Sequence, residues 1–106
     1  MIEIKIKPLS INEAYRGYRR RTDKYNSYIN SVMFLLPNDI IVPESNIKLK
    51  IEFGFSSLAS DVDNCCKPFI DILQKKYEFN DKNIIELFVS KTKVAKGFEY
   101  ILFNFY

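Results

Sequence analysis

The stretch Ile47-Lys48-Leu49-Lys50-Ile51-Glu52-Phe53-Gly54-Phe55 alternates apolar residues with mostly charged ones. Successive side chains of an extended chain face opposite ways, so this period of two commits the segment to a strand with one buried face. From Asn64 the period changes. Cys65, Cys66, Phe69, Ile70, Ile72 and Leu73 fall mostly on one side of a helix, while Asn64, Lys67, Asp71 and Lys75 stripe the other. Pro68 falls early in that helix, where a missing N–H is tolerated. With 106 residues, of which 47% are hydrophobic, the chain fits one compact domain, 1–106, with a modest core.

The remaining elements follow the same logic. Residues 2–7 alternate and read as a half-buried strand ended by Pro8. Residues 9–24 are polar and basic with weak periodicity, and most of them are expected to form a mobile loop. Tyr25, Tyr28, Ile29, Val32, Met33 and Leu36 recur at steps of three and four, which predicts an amphipathic helix over 25–36, closed by Pro37-Asn38-Asp39. Residues 84–94 read as a strand, and Lys96-Gly97 as a hairpin turn into a last strand, 98–105. The order predicts an α+β fold with a short mixed sheet of about four strands and two helices.

The formal charge of +3 is unevenly placed. Residues 16–24 hold five cations against Asp23 alone, which leaves the remainder slightly acidic. A polyanion would be drawn to one edge of the protein. The 2 cysteines, Cys65 and Cys66, are adjacent, a geometry that strains a disulfide; with 0 His there is no standard zinc set. Their place in an amphipathic helix favours packing, and a chain without a disulfide framework suits a reducing compartment. The alternating start lacks the continuous apolar run of a signal peptide, and no stretch is long enough to span a membrane. The expected location is the cytoplasm.

Asp61-Val62-Asp63 carries the chemistry. Two carboxylates one residue apart point the same way from an extended backbone and repel. A divalent cation removes the conflict, and Mg²⁺ is commonly held by one or two carboxylates plus waters and phosphates. A plainer role exists for Asp63, which sits where a helix N-cap belongs, but that leaves Asp61 unexplained. An EF-hand starting at Asp61 would need Gly and Glu where Cys66 and Ile72 stand. The nucleotide domain of a sugar-nucleotide transferase would not fit in this length.

Lys67 lies one turn from Asn64 and from Asp71 on the polar face. It is either a surface lysine paired with Asp71 or a cation that neutralises a scissile phosphate. Asp81, in Asn80-Asp81-Lys82, is a turn residue or a further ligand. Without histidine no imidazole serves as general base, so attacking water would be activated by metal or carboxylate. Arg16, Arg19, Arg20, Arg21 and Lys24, interleaved with Tyr15 and Tyr18, suit phosphate contact with base stacking, although a charge run is also a common solvated face.

Asp61-Val62-Asp63-Asn64-Cys65-Cys66-Lys67 follows an Asp-X-Asp-Asn-X-X-Lys signature and in this resembles the RusA-type Holliday-junction resolvases, small metal-dependent endonucleases of phage and prophage origin. The likeness runs on through Pro68-Phe69-Ile70-Asp71-Ile72-Leu73 to Asn80-Asp81-Lys82-Asn83-Ile84, where that family carries its third essential aspartate. Pro8-Leu9-Ser10-Ile11-Asn12 is similar to the Pro-X-Ser-X-Asn after its first strand. The family often has two acids at the third site, whereas Asn80 precedes Asp81 here, and Cys65-Cys66 replace its usual aliphatic residues.

The resemblance implies Asp61, Asp63 and Asp81 as metal-binding catalytic carboxylates and Lys67 as the catalytic lysine. Asn64 and Asp71 would support them, Asp71 by orienting Lys67. It implies Mg²⁺, with Mn²⁺ as a substitute, no small-molecule cofactor, and a homodimer making paired nicks in four-way DNA junctions during recombination and repair. A helix over 64–75 is about 18 Å long, and residues 76–81 can span roughly 20 Å. Asp81 therefore rejoins Asp61 and Asp63 only if 77–80 run back nearly extended. That same-chain return is the preferred expectation, with supply from a dimer partner as the alternative. Two other functions stay open: a branched-DNA-binding module without cleavage, and a small phage interaction protein whose acidic turn has no chemical role.

Overall fold

The computed structural model describes residues 1–17 and 20–106. Its elements in chain order are β1 (Ile2–Ile4), α1 (Ile11–Ala14), β2 (Tyr15–Arg16), β3 (Arg20–Arg21), α2 (Asp23–Leu35), β4 (Ile47–Phe55), α3 (Cys66–Tyr77), β5 (Ile84–Lys93) and β6 (Tyr100–Phe105). Short 3₁₀ turns, Asp63–Cys65 and Asp81–Asn83, precede α3 and β5. The main sheet has the order β1-β6-β4-β5, mixed in direction. The α+β class and the mixed four-stranded sheet are as the sequence predicts, with α1 as a third, short helix.

β4 is the sheet's most deeply buried strand. Ile47, Leu49, Ile51, Phe53 and Phe55 are all buried, whereas Lys50 is exposed. β5 pairs with β4 in parallel over the strand's whole length, and β6 pairs antiparallel on the other side. A parallel neighbour requires a crossover, which α3 supplies. Phe69 of α3 is fully buried, with its ring edge-on to Phe103 (5.4 Å) and Phe53 (6.4 Å). α2 contributes Tyr25, Tyr28, Ile29 and Val32 to the same layer. The two helices are tied at their ends: Lys76 Nζ donates to the Met33 carbonyl (3.1 Å) and the Tyr77 hydroxyl to that of Pro37 (2.7 Å). Burial pushes the Tyr77 phenol up to about 12. No helix among the described residues is long and apolar enough to cross a membrane.

Three expectations need correction. The region 9–24 is not mainly loop. Ser10 caps α1, with its hydroxyl accepting from Glu13 N (3.3 Å) while the Glu13 carboxylate accepts back from the Ser10 N–H (3.4 Å). The reciprocal pair satisfies two of the helix's orphan donors. β2 and β3 then pair as a small antiparallel ribbon. The first strand is also shorter than expected, with its ladder confined to Ile2–Ile4.

The third correction concerns the Lys96-Gly97 turn. Gly97 does adopt a left-handed φ of 94°, but β5 and β6 are not paired. β6 instead lies between β1 and β4. There its inward residues Ile101 and Phe103 are completely buried. β5 is left as an edge strand.

Phe69 holds the helical layer on β4. Phe69→Ala should cost about 3–5 kcal/mol, read as a lower midpoint in chemical denaturation followed by far-ultraviolet circular dichroism.

Candidate metal and nucleic-acid site

β4 ends at Phe55 and the chain passes through 56–62 into the 3₁₀ turn Asp63–Cys65. Val62 is helical (φ −64°, ψ −36°), so Asp61 and Asp63 do not leave an extended backbone on one side. The same-side argument made from the sequence therefore lacks the extended backbone it assumes. Asp61 is held by Asn64, whose N–H donates to the Asp61 carbonyl (3.3 Å) and whose side-chain amide donates to Asp61 Oδ2 (3.3 Å).

Asp63 does not act as an N-cap. Val62 and Cys65 occupy the cap positions of the turn and of α3, neither with a side-chain hydrogen bond. The exposed Asp63 carboxylate has no hydrogen-bond partner among the described residues. Cys65 is buried and free, its thiol pushed up to about 12 by burial, and Cys66, also raised by burial, donates to the Val62 carbonyl (3.5 Å). Both are packing residues.

α1 closes the other side of the turn. Ser10, Asn12 and Glu13 line a groove of about 260 Å³ together with Asp61, Asn64 and Cys65. Glu13 went unnoticed as a site residue, although Ser10-X-X-Glu13 is a helix-start signature readable in the sequence. Its carboxylate pairs with Lys24 and accepts from the Ser10 hydroxyl (3.3 Å). Burial raises the Glu13 pKa, but these hydrogen bonds outweigh burial and hold it below the ordinary 4.5.

The polar face of α3 forms a ladder. Lys67 Nζ pairs with Asp71 (3.4 Å), as the spacing predicts. Asp71 also accepts from Gln74 Nε2 (3.3 Å), and Gln74 Oε1 accepts from the backbone N–H of Asp81 (2.8 Å). Gln74 is a second residue that the sequence reading passed over.

This last bond locates Asp81. Glu78 turns left-handed (φ 55°) after α3, and the chain folds back to the Gln74 side chain, which itself reaches the Ile70 carbonyl (3.5 Å). Gln74 lies eleven residues beyond Asp63, or about 16 Å along a helix. β4 and β5 are parallel, with Ile47 opposite Ile84 and Phe55 opposite Lys93. Asp61 follows the C-terminal end of one strand and Asp81 precedes the N-terminal end of the other. Those ends are about 26 Å apart. Asp81 thus stands against the second half of α3, and among the described residues it does not form one metal-binding group with Asp61 and Asp63. Asp81 instead borders a shallow groove with Ile70, Ile84, Ile85, Glu86 and Leu87. Among the described residues, no three His, Cys, Asp or Glu side chains stand together as a metal-binding group.

Arg16, Arg20, Arg21 and Lys24 are exposed; Arg19, with Tyr18, lies outside the described residues. Arg16 stands directly across the ribbon from Arg20, an arrangement in which like charges repel. Arg21 lies over the Tyr25 ring at 5.6 Å. Tyr15 packs its ring edge-on to Tyr25 at 5.5 Å. Thr22 anchors the ribbon to α1 through its hydroxyl on the Glu13 carbonyl (2.7 Å). No family model and no curated protein matches the chain.

The depressed Glu13 pKa makes a pH prediction. Its stabilisation is full above 4.5 and is lost as pH falls through the lower folded value. Glu13→Gln should cost a few tenths of a kcal/mol at neutral pH, the scale of an exposed pair. Thermal melts should show that gap closing as pH falls below 4.5.

Proposed function

We propose that this protein is a Mg²⁺-dependent endodeoxyribonuclease that cuts four-way DNA junctions as a homodimer. One observation carries the reading: α1 joins an acidic turn with no capping duty to a ribbon of facing arginines. Cross-strand arginines cost stability unless an anion lies between them, and a DNA backbone offers phosphates in series. Arg16, Arg20 and Arg21, with Arg19 beside them in the sequence, would grip that backbone. Lys24, already paired with Glu13, would do so only by exchanging partners.

The separation of Asp81 from Asp61 favours a site shared between two chains. β5 is a ten-residue edge strand that exposes Ile85, Leu87 and Phe88. Such an edge invites pairing with another chain. Antiparallel pairing of two β5 strands about a two-fold axis sets the N-terminal end of one beside the C-terminal end of the other. Asp81 of the partner subunit would then approach Asp61 and Asp63.

Oxygen ligands without histidine suit Mg²⁺, with Mn²⁺ as a substitute. Asp61, Asp63 and Asp81 of the partner subunit would hold it. When bound, the cation supplies charge for the scissile phosphate and lowers the pKa of attacking water. Lys67, on the exposed face of α3 and braced by Asp71, would offset charge building on the phosphate oxygens. Asn64 would keep Asp61 oriented. The free cysteines suit work in a reducing cytoplasm.

The second reading is a branched-DNA-binding module without cleavage. It uses the same arginine ribbon and is favoured by the absence of a gathered acidic trio among the described residues of one chain. A synthetic four-way junction incubated beside linear duplex, with Mg²⁺ or with EDTA, separates the two. Paired, Mg²⁺-dependent nicks in the junction alone, reduced at least a hundredfold in Asp63→Asn, are expected. Junction binding without nicks in Mg²⁺ or Mn²⁺ would establish the binding module instead.

Mixing Asp61→Asn and Asp81→Asn chains tests the shared site. One functional site per heterodimer should restore nicking of one strand, whereas sites built within single chains would stay inactive in the mixture.

A further inference from the structure

Lys91 lies near the C-terminal end of β5, opposite Phe53 of β4. A lysine on an exposed edge strand usually extends into water. This one crosses to the acidic loop, where its Nζ donates to the carbonyls of Leu58 (2.8 Å) and Ser60 (2.8 Å). An ammonium has three donors and no acceptor. Two of them here bridge alternate carbonyls of a single loop.

The second carbonyl matters most. The Ser60 carbonyl belongs to the peptide group that carries the nitrogen of Asp61, so holding it orients the plane from which Asp61 departs. Other described bonds around this loop are few: Ala59 N–H on the Ser57 hydroxyl (3.2 Å), and the two from Asn64 to Asp61. Neither reaches the carbonyls that Lys91 holds. Both hydrogen bonds go to backbone oxygens and leave the carboxylates of the turn unoccupied by the ammonium.

We infer that Lys91 is the positioning residue of the acidic loop, holding Asp61 and Asp63 in the arrangement that accepts a divalent cation. The inference rests on the metal-dependent reading above and adds a residue that neither the Asp-X-Asp spacing nor the arginine ribbon indicates. It also makes β5 serve both halves of the site, since the strand starts after Asp81 and ends by bracing the loop of Asp61.

The test compares wild type, Lys91→Met and Lys91→Arg in the full chain. Melting temperature is titrated with Mg²⁺ and with Mn²⁺, and amide hydrogen exchange over 57–62 is followed in EDTA. Lys91→Met should keep the wild-type melting temperature in EDTA within a degree or two and speed exchange at Ser60 and Asp61. The metal midpoint should rise about tenfold, the scale of one charge-assisted hydrogen bond. Lys91→Arg, which retains a donor pair, should recover most of the shift.

An unchanged midpoint in Lys91→Met beside a responsive wild type would overturn the role of Lys91 and leave the proposed function standing. A large fall in the EDTA melting temperature, with the midpoint following it, would make Lys91 a general staple and also overturn the inference. A wild-type protein indifferent to both metals would overturn the metal-dependent reading and the inference together.

Discussion

Burial of the inward row of β4 is the constraint on which the other elements depend. Ile47, Leu49, Ile51, Phe53 and Phe55 need cover along the whole strand, and Phe69 of α3 supplies its centre. Because α3 directly follows the strand, covering that face also makes the chain cross over and return in parallel as β5. The crossover has an electrostatic consequence. It puts the loop of Asp61 after the C-terminal end of β4 and the turn of Asp81 before the N-terminal end of β5. Packing thereby separates residues that a linear motif sets close together.

The acidic turn and the arginine ribbon are adjacent for a local reason. α1 is only four residues long, too short to persist by its own hydrogen bonds. Its capping box and the Thr22 contacts hold it, and through it the ribbon stands beside the groove of Asp61. The ion pair of Lys24 with Glu13 bridges the basic and acidic sides. Charges that would otherwise repel within each half are thus partly offset across α1, while Arg16 and Arg20 remain opposed.

The motif residues differ in how much their spacing revealed. Lys67 and Asp71 pair because an α-helix places i and i+4 on one face, whatever surrounds it. Asp61 and Asp63 were harder. Period-two reasoning holds only for extended backbone, and the helical Val62 between them ends the extension one residue early. Glu13 was legible from Ser10-X-X-Glu13, a signal masked by the polar composition of 9–24. Gln74 and Lys91 were not legible. Their partners, the Asp81 N–H and the Leu58 and Ser60 carbonyls, are backbone groups distant in sequence or in a loop, which carry no side-chain pattern.

By itself the sequence determined the strands and helices whose side chains alternate with a clean period: β4 over 47–55, α2 within a few residues of 25–36, α3 after Asn64, and β5 from Ile84. It also determined the concentration of positive charge near Arg16–Lys24. Local periodicity suffices there because each element buries one face, and that face is written in the order of residues. Only the tertiary structure decided that β6 sits inside the sheet and β5 at its edge, and that the Asp81 backbone is held by Gln74 of α3. Strand order depends on which apolar rows can share the cover of α3, a competition between segments far apart in the chain, and spacing within any one of them does not record it.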